Sequence, residues 1–270
     1  MTASEPPDAA TGRTAFARLH HGPTPLLLPN AWDVTSALAF ARAGYPAVGT
    51  TSFGVAASAG RPDGGRATRE ANLALVAALR PLPIPVSVDI EDGYHDDPDT
   101  VAEYVARLSR AGVAGINIED STAEVLVDPA RHGAKVAAIK ERCPDVFLNA
   151  RVDTYWLGQD ATPDITLTRA EAYVRAGADG VFLPGLTDPA VLREATRALP
   201  VPVNTLVVPD LTLAQLADLG VRRVSTGSLP YRAALHAALD VAAAVRDGRT
   251  PPPGLPYSEL QAALVDHVTD

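Results

Sequence analysis

Three acids stand within four residues at 89–92, inside the run Ser-Val-Asp-Ile-Glu-Asp-Gly-Tyr over 87–94. Ser87 to Ile90 reads as the end of a strand, and Gly93 turns the chain. Residues two apart on a strand share a face, so Asp89 and Glu91 point the same way if the strand runs that far. The same spacing relates Asn117 to Glu119, and Asn149 to Arg151 and Asp153. Carboxylates gathered at strand ends are costly to bury without an opposite charge. The counter-charges on offer are a divalent cation and Arg151. Oxygen donors suit Mg2+, or Mn2+, and no His/Cys set has zinc-like spacing. An arginine beside such a cation is shaped for two-point capture of a carboxylate or phosphonate. A purely structural salt-bridge network is the other reading of the same residues. Asp92 reads as a solvent-facing turn residue.

Upstream, small residues and glycines fill 50–65. Thr51 and Ser52 offer hydroxyls and backbone N–H groups to an anion, and Asp63 offers an acid reaching the site at one remove. Composition alone also permits a plain flexible loop there. Candidates for moving a proton are Tyr94, His95, Asp153, Tyr155 and Asn204. Of these, Tyr94 reads as packing, His95 as exposed, and Asp153 as a group that orients Arg151. His132 reads as a helix-surface residue, and His20, His21, His236 and His267 as surface.

The elements that must position these residues alternate. Short apolar runs at 26–30, 47–51, 85–90, 115–119, 147–152, 180–184, 202–207 and 222–226 read as strands. Amphipathic helical patterns lie between them. Asp33, Asp99, Asp188 and Thr212 are candidate N-caps, and Ala-Gly recurs before strands at 43–44, 111–112 and 176–177. Eight strand–helix units imply a (β/α)8 barrel, with active-site residues at the C-terminal strand ends. An open doubly wound sheet is the alternative, although no Gly-x-Gly-x-x-Gly follows the first strand. The expected division is an N-terminal tail at 1–22, the barrel at 23–247, and a Pro-rich linker with a C-terminal helix at 248–270.

The bulk numbers narrow the function classes. The chain has 270 residues, 47% hydrophobic and 20% charged, with a net charge of −9. That acidic balance argues against nucleic acid or an anionic membrane as partners. One cysteine, Cys143, excludes an intrachain disulfide and fits a cytoplasmic setting. No secretory signal or run of about 18 apolar residues is evident.

Taken together, the runs Leu-Pro-Asn-Ala-Trp-Asp, Gly-Thr-Thr-Ser-Phe-Gly, Asp-Ile-Glu-Asp-Gly-Tyr, Ile-Asn-Ile-Glu-Asp-Ser and Asn-Ala-Arg-Val-Asp resemble the phosphoenolpyruvate mutase/isocitrate lyase superfamily over about residues 26 to 232. The resemblance implies a barrel whose C-terminal helix is exchanged between subunits of a homodimer or homotetramer. It implies Mg2+ held by Asp89, Glu91 and Glu119, with Asp63 reached through water. Thr51 and Ser52 would hold a substrate carboxylate, and Arg151 would clamp the anionic group. Asn149 and Asn204 complete the candidate substrate-binding set, and Arg151, Asp63 and Glu119 are the catalytic candidates. The substrate implied is a small carboxylate or phosphonate.

The departures bear on the reaction. The superfamily's lyases carry a loop cysteine after the Glu-Asp-Ser run, where this chain has Ser-Thr-Ala-Glu-Val-Leu-Val-Asp. The mutase branch's loop Lys and Asn-Ser are absent too, and Pro184 stands where that branch has a histidine. The expected activity is Mg2+-dependent carbon–carbon cleavage next to a pyruvate-like unit. A phosphonopyruvate mutase or hydrolase is the second reading, and a non-catalytic dicarboxylate-binding barrel the third.

Overall fold

The structure, a computed structural model, describes residues 9–269. Helix α1 (Ala9–Leu19) leads to two short strands, β1 (Leu26–Leu28) and β2 (Asn30–Ala31), parted only by Pro29. There follow α2 (Val34–Arg42), β3 (Val48–Thr50), α3 (Ser52–Ser58), α4 (Arg69–Ala78), β4 (Val86–Asp89), α5 (Pro98–Arg110) and β5 (Gly115–Glu119). A small hairpin of β6 (Ser121–Thr122) and β7 (Val125–Leu126) precedes α6 (Pro129–Arg142), β8 (Phe147–Arg151), α7 (Thr154–Leu157) and α8 (Pro163–Arg175). The chain ends with β9 (Gly180–Phe182), α9 (Pro189–Ala198), β10 (Val203–Leu206), α10 (Leu213–Asp218), β11 (Arg223–Ser225), α11 (Leu229–Arg246) and α12 (Tyr257–Thr269).

The main sheet is parallel, in the order β1-β11-β10-β9-β8-β5-β4-β3-β2. Its two edges are halves of one strand broken at Pro29, so the sheet closes on itself as an eight-position barrel. Proline has no N–H for the ladder, and Asn30 bridges the break. Its Nδ2 donates to Thr50 O at 2.7 Å on one side, while its Oδ1 accepts Thr226 N and Gly227 N, both at 2.9 Å, on the other. Closure removes the open-sheet alternative.

Caps set the helix starts. Asp33 and Ser36 form a capping box on α2, and Thr212 and Gln215 form one on α10. Helix α5 is capped by Asp97 rather than Asp99, because Pro98 takes the first helical position, where its missing N–H costs nothing.

Both ends of the chain pack on the barrel, the first of them as a correction. The tail expected over 1–22 is, from Ala9, a helix that plugs the bottom of the barrel; residues 1–8 lie outside the described residues. Phe16 is fully buried with Leu26, Leu28, Ala47, Ala114 and Phe147, and Gly115 leaves the space its ring fills. Truncating a ring so buried costs about 3–5 kcal/mol. His20, read as surface, is 1% exposed and stacks on Phe147 at 4.1 Å. At the other end α12 lies against α2 of its own chain through Ala263 and an Arg42–Asp266 ion pair at 2.9 Å. Among the described residues no helix is long and apolar enough to cross a membrane.

Candidate active site at the barrel mouth

The register brings the polar strand ends together. Asp89 of β4 pairs with Asn117 of β5, Asn117 with Asn149 of β8, and Glu119 with Arg151 one step higher. A cavity of about 530 Å3 opens above them. Thr51, Ser52, Asp63, Asp89, Glu91, Glu119 and Arg151 all line it. Asn149 and Asn204 do not: both are turned into the barrel floor, Asn149 Nδ2 onto Asn117 Oδ1 at 3.0 Å and Asn204 Nδ2 onto Ser225 Oγ at 3.1 Å. Asn117 and Ser225 face the cavity instead.

Arg151 is held on three sides. Its Nη1 and Nε each reach a carboxylate at 2.5 Å, Glu119 and Asp153 respectively. The rings of Trp156 and Phe182 lie 5.6 and 5.8 Å from the guanidinium. Burial opposes the charge on Arg151, but Glu119, Asp153 and Asp89 outweigh it and hold the arginine firmly protonated. Asp153 thus orients Arg151, as its spacing suggested. It is itself fixed by Ser121 Oγ at 2.6 Å, and its backbone N–H donates to Asp120 at 2.8 Å. Asp120 is completely buried and also accepts Arg169 and Tyr173.

The acids exceed the positive charge available. Burial pushes Asp89 above the usual carboxylate range, and Asp63 adds to the shift against the pull of Arg151. Burial likewise raises Glu119 and Glu91. Asp89 Oδ2 accepts a long bond from Ser52 N at 3.4 Å, the Ser52 hydroxyl adds a weak pull on the carboxylate, and Asp89 Oδ1 is buried with no hydrogen-bond partner. An orphaned carboxylate oxygen among further acids fits a hard divalent cation. Among the described residues no three His, Cys, Asp or Glu side chains are already drawn into a metal cage. Glu119 is engaged by Arg151, and Glu91 by Thr68 Oγ1 and Arg66 N.

Asp92 is not a solvent-facing turn residue. It is 4% exposed and binds Arg66, Thr122 Oγ1 at 2.7 Å and Tyr94 N at 3.0 Å, while its carbonyl takes Lys135 Nζ at 2.8 Å. Nothing in the local run of residues marks this burial, because Arg66 and Thr122 approach from two other loops. The turn is tight: Glu91, Gly93 and Tyr94 all have positive φ, at 49°, 90° and 63°.

Where lyases of the resembling superfamily carry the cysteine loop, this chain has the β6–β7 hairpin. Ala123 and Glu124 at its tip line the cavity. Gln159 clamps the tip, accepting Leu126 N at 3.1 Å and donating to Glu124 O at 2.8 Å. Cys143 is buried at the end of α6, away from the cavity lining. His132, read as helix surface, is fully buried against Tyr173 with neither ring nitrogen bonded. His95 and Tyr155 do not line the cavity.

The phosphoenolpyruvate phosphomutase family model matches residues 16–246. The chain belongs to that family. An uncharacterized protein of Mycobacterium tuberculosis is 62% identical over 253 residues, covering 94% of this chain and 97% of that protein. The 2-methylisocitrate lyase of Bacillus subtilis is 27% identical over 270 residues, covering 94% and 88%. A solved phosphonopyruvate hydrolase in complex with oxalate and Mg2+ superposes with a TM-score of 0.82 at 24% identity, covering 96% of this chain and 97% of that one, a likeness of fold.

Proposed function

We propose that this family member is a Mg2+-dependent carbon–carbon lyase acting on a small 2-oxo- or 2-hydroxy-carboxylate. The observation that carries the reading is the orphaned Asp89 oxygen in a cavity whose acids outnumber its arginines, Arg151 and Arg232. Asp89, Glu91 and Glu119 would hold the cation, with Asp63 at one remove. When bound, Mg2+ supplies positive charge to substrate oxygens at the reacting end. The 2-methylisocitrate lyase among the relatives and the Mg2+ and oxalate of the hydrolase complex support this choice.

The chain's own groups do the rest. Thr51 Oγ1 accepts Gly54 N at 3.4 Å, which leaves its O–H free to donate to a carboxylate. Arg151, aimed by Asp153, presents its guanidinium to the anionic group next to the breaking bond. When that bond breaks, its electron pair stays on the carboxylate-bearing fragment as an enolate, and solvent or the departing fragment supplies the proton. No cysteine is needed at the hairpin. The Phe182 and Trp156 rings keep water from one side of Arg151.

A phosphonopyruvate mutase or hydrolase remains the second reading because the matching family model is a phosphomutase. The missing loop Lys and the Pro184 substitution weigh against it. A non-catalytic dicarboxylate-binding barrel is the third, and retained metal binding without turnover would mark it. Assembly as a homodimer or homotetramer is part of the proposal. Helix α11 exposes Leu235, Leu239 and Val245 to more than half of their surface, and a second copy would cover them. A cytoplasmic setting is proposed on the single buried thiol.

The test is turnover followed by proton and phosphorus NMR, with oxaloacetate, 2-methylisocitrate, 2-methylmalate and phosphonopyruvate offered separately. Metal-dependent release of a pyruvate-like product, absent with EDTA and without enzyme, supports the lyase. A moving phosphorus signal supports the second reading. Silence with all four contradicts both for these substrates.

A further inference from the structure

Barrel floors are ordinarily layers of Val, Ile and Leu. Here Asn117, Asn149, Asn204, Ser225 and Arg223 make the layer under the cavity polar. The Arg223 side chain is 1% exposed, yet among the described residues it has no carboxylate partner. Its Nη2 donates to Asn117 Oδ1 and its Nε to Ser225 Oγ, both at 3.2 Å, and its Nη1 has no partner. Asn117 and Ser225 line the cavity, so the guanidinium lies directly behind two residues of the site floor. On the far side His20 is neutral, its pKa lowered by burial to about 3, so the plug supplies no negative charge. Burial lowers Arg223 itself only to about 9, against the attraction of the Asp89 carboxylate, so it stays cationic at neutral pH.

A buried, unpaired guanidinium is expensive, and an apolar side chain of similar volume in its place is commonly neutral or stabilising. Groups held at such a cost cluster where function needs them. We propose that Arg223 is the floor cation of the site, a positioning residue behind Asn117 and Ser225 whose charge biases the cavity toward anions and against free cations. The proposal rests on the reading of the cavity as a site for a cation and a carboxylate. It goes beyond that reading in naming a residue that touches neither. In the reaction, the same charge favours the electron-rich fragment left after bond cleavage.

The sign of the effect separates this role from a structural one. A unit positive charge about 10 Å from a doubly charged ligand, at an effective dielectric near 20, is worth roughly a hundredfold in affinity. In Arg223→Met the free protein should bind Mn2+ about a hundredfold more tightly, read as free Mn2+ by electron paramagnetic resonance. Oxalate, a planar dianion, should bind about a hundredfold more weakly by calorimetry. Arg223→Lys, which keeps the charge, should stay close to the unaltered chain in both. The melting temperature of the Met variant should be unchanged or higher.

Weakening of both ligands, or no change in either, overturns the proposal. If the Met variant does not fold, Arg223→Gln carries the same test, since its amide still donates to Asn117. Failure of both to fold overturns the proposal and makes Arg223 structural. If the unaltered chain binds no Mn2+, the metal reading falls on its own. Oxalate binding without metal then decides the floor charge: weaker binding in the Met variant upholds it, and equal binding overturns it. An unaltered chain that binds neither ligand overturns both.

Discussion

Arg66 and Asp92, 26 residues apart in sequence, join the loop that carries Asp63 to the turn that carries Glu91. Arg66 Nε lies 2.9 Å from Asp92 Oδ2, and that oxygen also accepts Thr122 Oγ1 from the hairpin at 2.7 Å. One carboxylate therefore fixes three loops around the cavity. The Arg66 backbone adds a third tie, donating to Glu91 Oε2 at 3.0 Å.

Asp92→Asn should cost about 1–3 kcal/mol, because it discharges a buried acceptor with several donors. For a chain of this size that is a fall of about 2–10 °C in melting temperature. Arg66→Met should cost less, since that side chain is 28% exposed. The two changes share one interaction, so a double-mutant cycle should return a coupling of about 0.5–2 kcal/mol. Additive effects in denaturant unfolding would contradict the shared role.

Gly93→Ala tests the turn itself. Gly93 has φ +90°, and a methyl there would come within 2.6 Å of Val101 Cγ1. The change combines left-handed strain with overpacking, so about 2–4 kcal/mol of stability should be lost. Chemical denaturation measures it, and a loss under 0.5 kcal/mol would show that the turn relaxes freely.

Asp153→Asn should leave the fold in place, since the backbone bond from Asp153 N to Asp120 does not need the carboxylate. Arg151 would then be aimed by Glu119 alone. A misdirected guanidinium should lower kcat/KM about 10–100-fold, read in the assay of whichever substrate turns over. An unchanged value would mean that Arg151 needs no orienting partner.

His132 gives the chain a pH-dependent term. Burial, with Lys135 and Arg169 nearby, lowers its pKa from 6.5 to about 3, against the weaker pull of Asp153 and Asp92. The unfolded chain binds this proton and the folded chain does not. The stabilisation is therefore full above pH 6.5 and is lost progressively as pH falls toward 3. Inside that window the slope is up to about 1.4 kcal/mol per pH unit for one histidine. His132→Leu should flatten the pH dependence of unfolding free energy by about that amount between pH 4 and 6. Equal slopes in the two proteins would show that His132 protonates without opening the fold.

The strand ends were legible because two simple rules act together. Side chains alternate along a strand, and parallel register stacks equivalent positions, so Asp89, Glu119 and Arg151 could be placed at one mouth from spacing alone. The burial of Asp92, His20 and His132 was not legible, since it is decided by Arg66, Thr122, Phe147 and Tyr173, all distant in sequence. Arg223 left a signal that could have been used. It stands two residues before Ser225, on the face of β11 that turns into the barrel. The helical start at Ala9 was hidden by a Pro- and Ala-rich composition that reads as a loose tail. Its anchor, Phe16, shows only once Gly115 is seen to leave room for the ring.

The central claim is that Asp89, Glu91 and Glu119 form a divalent-cation site, and titration calorimetry of Mg2+ tests it most directly. The unaltered chain should bind one Mg2+ per chain, and Asp89→Ala should bind none while keeping its circular dichroism and cooperative melting. Equal binding in both proteins, or none in the unaltered chain, would contradict the claim and return the acids to a structural salt-bridge network.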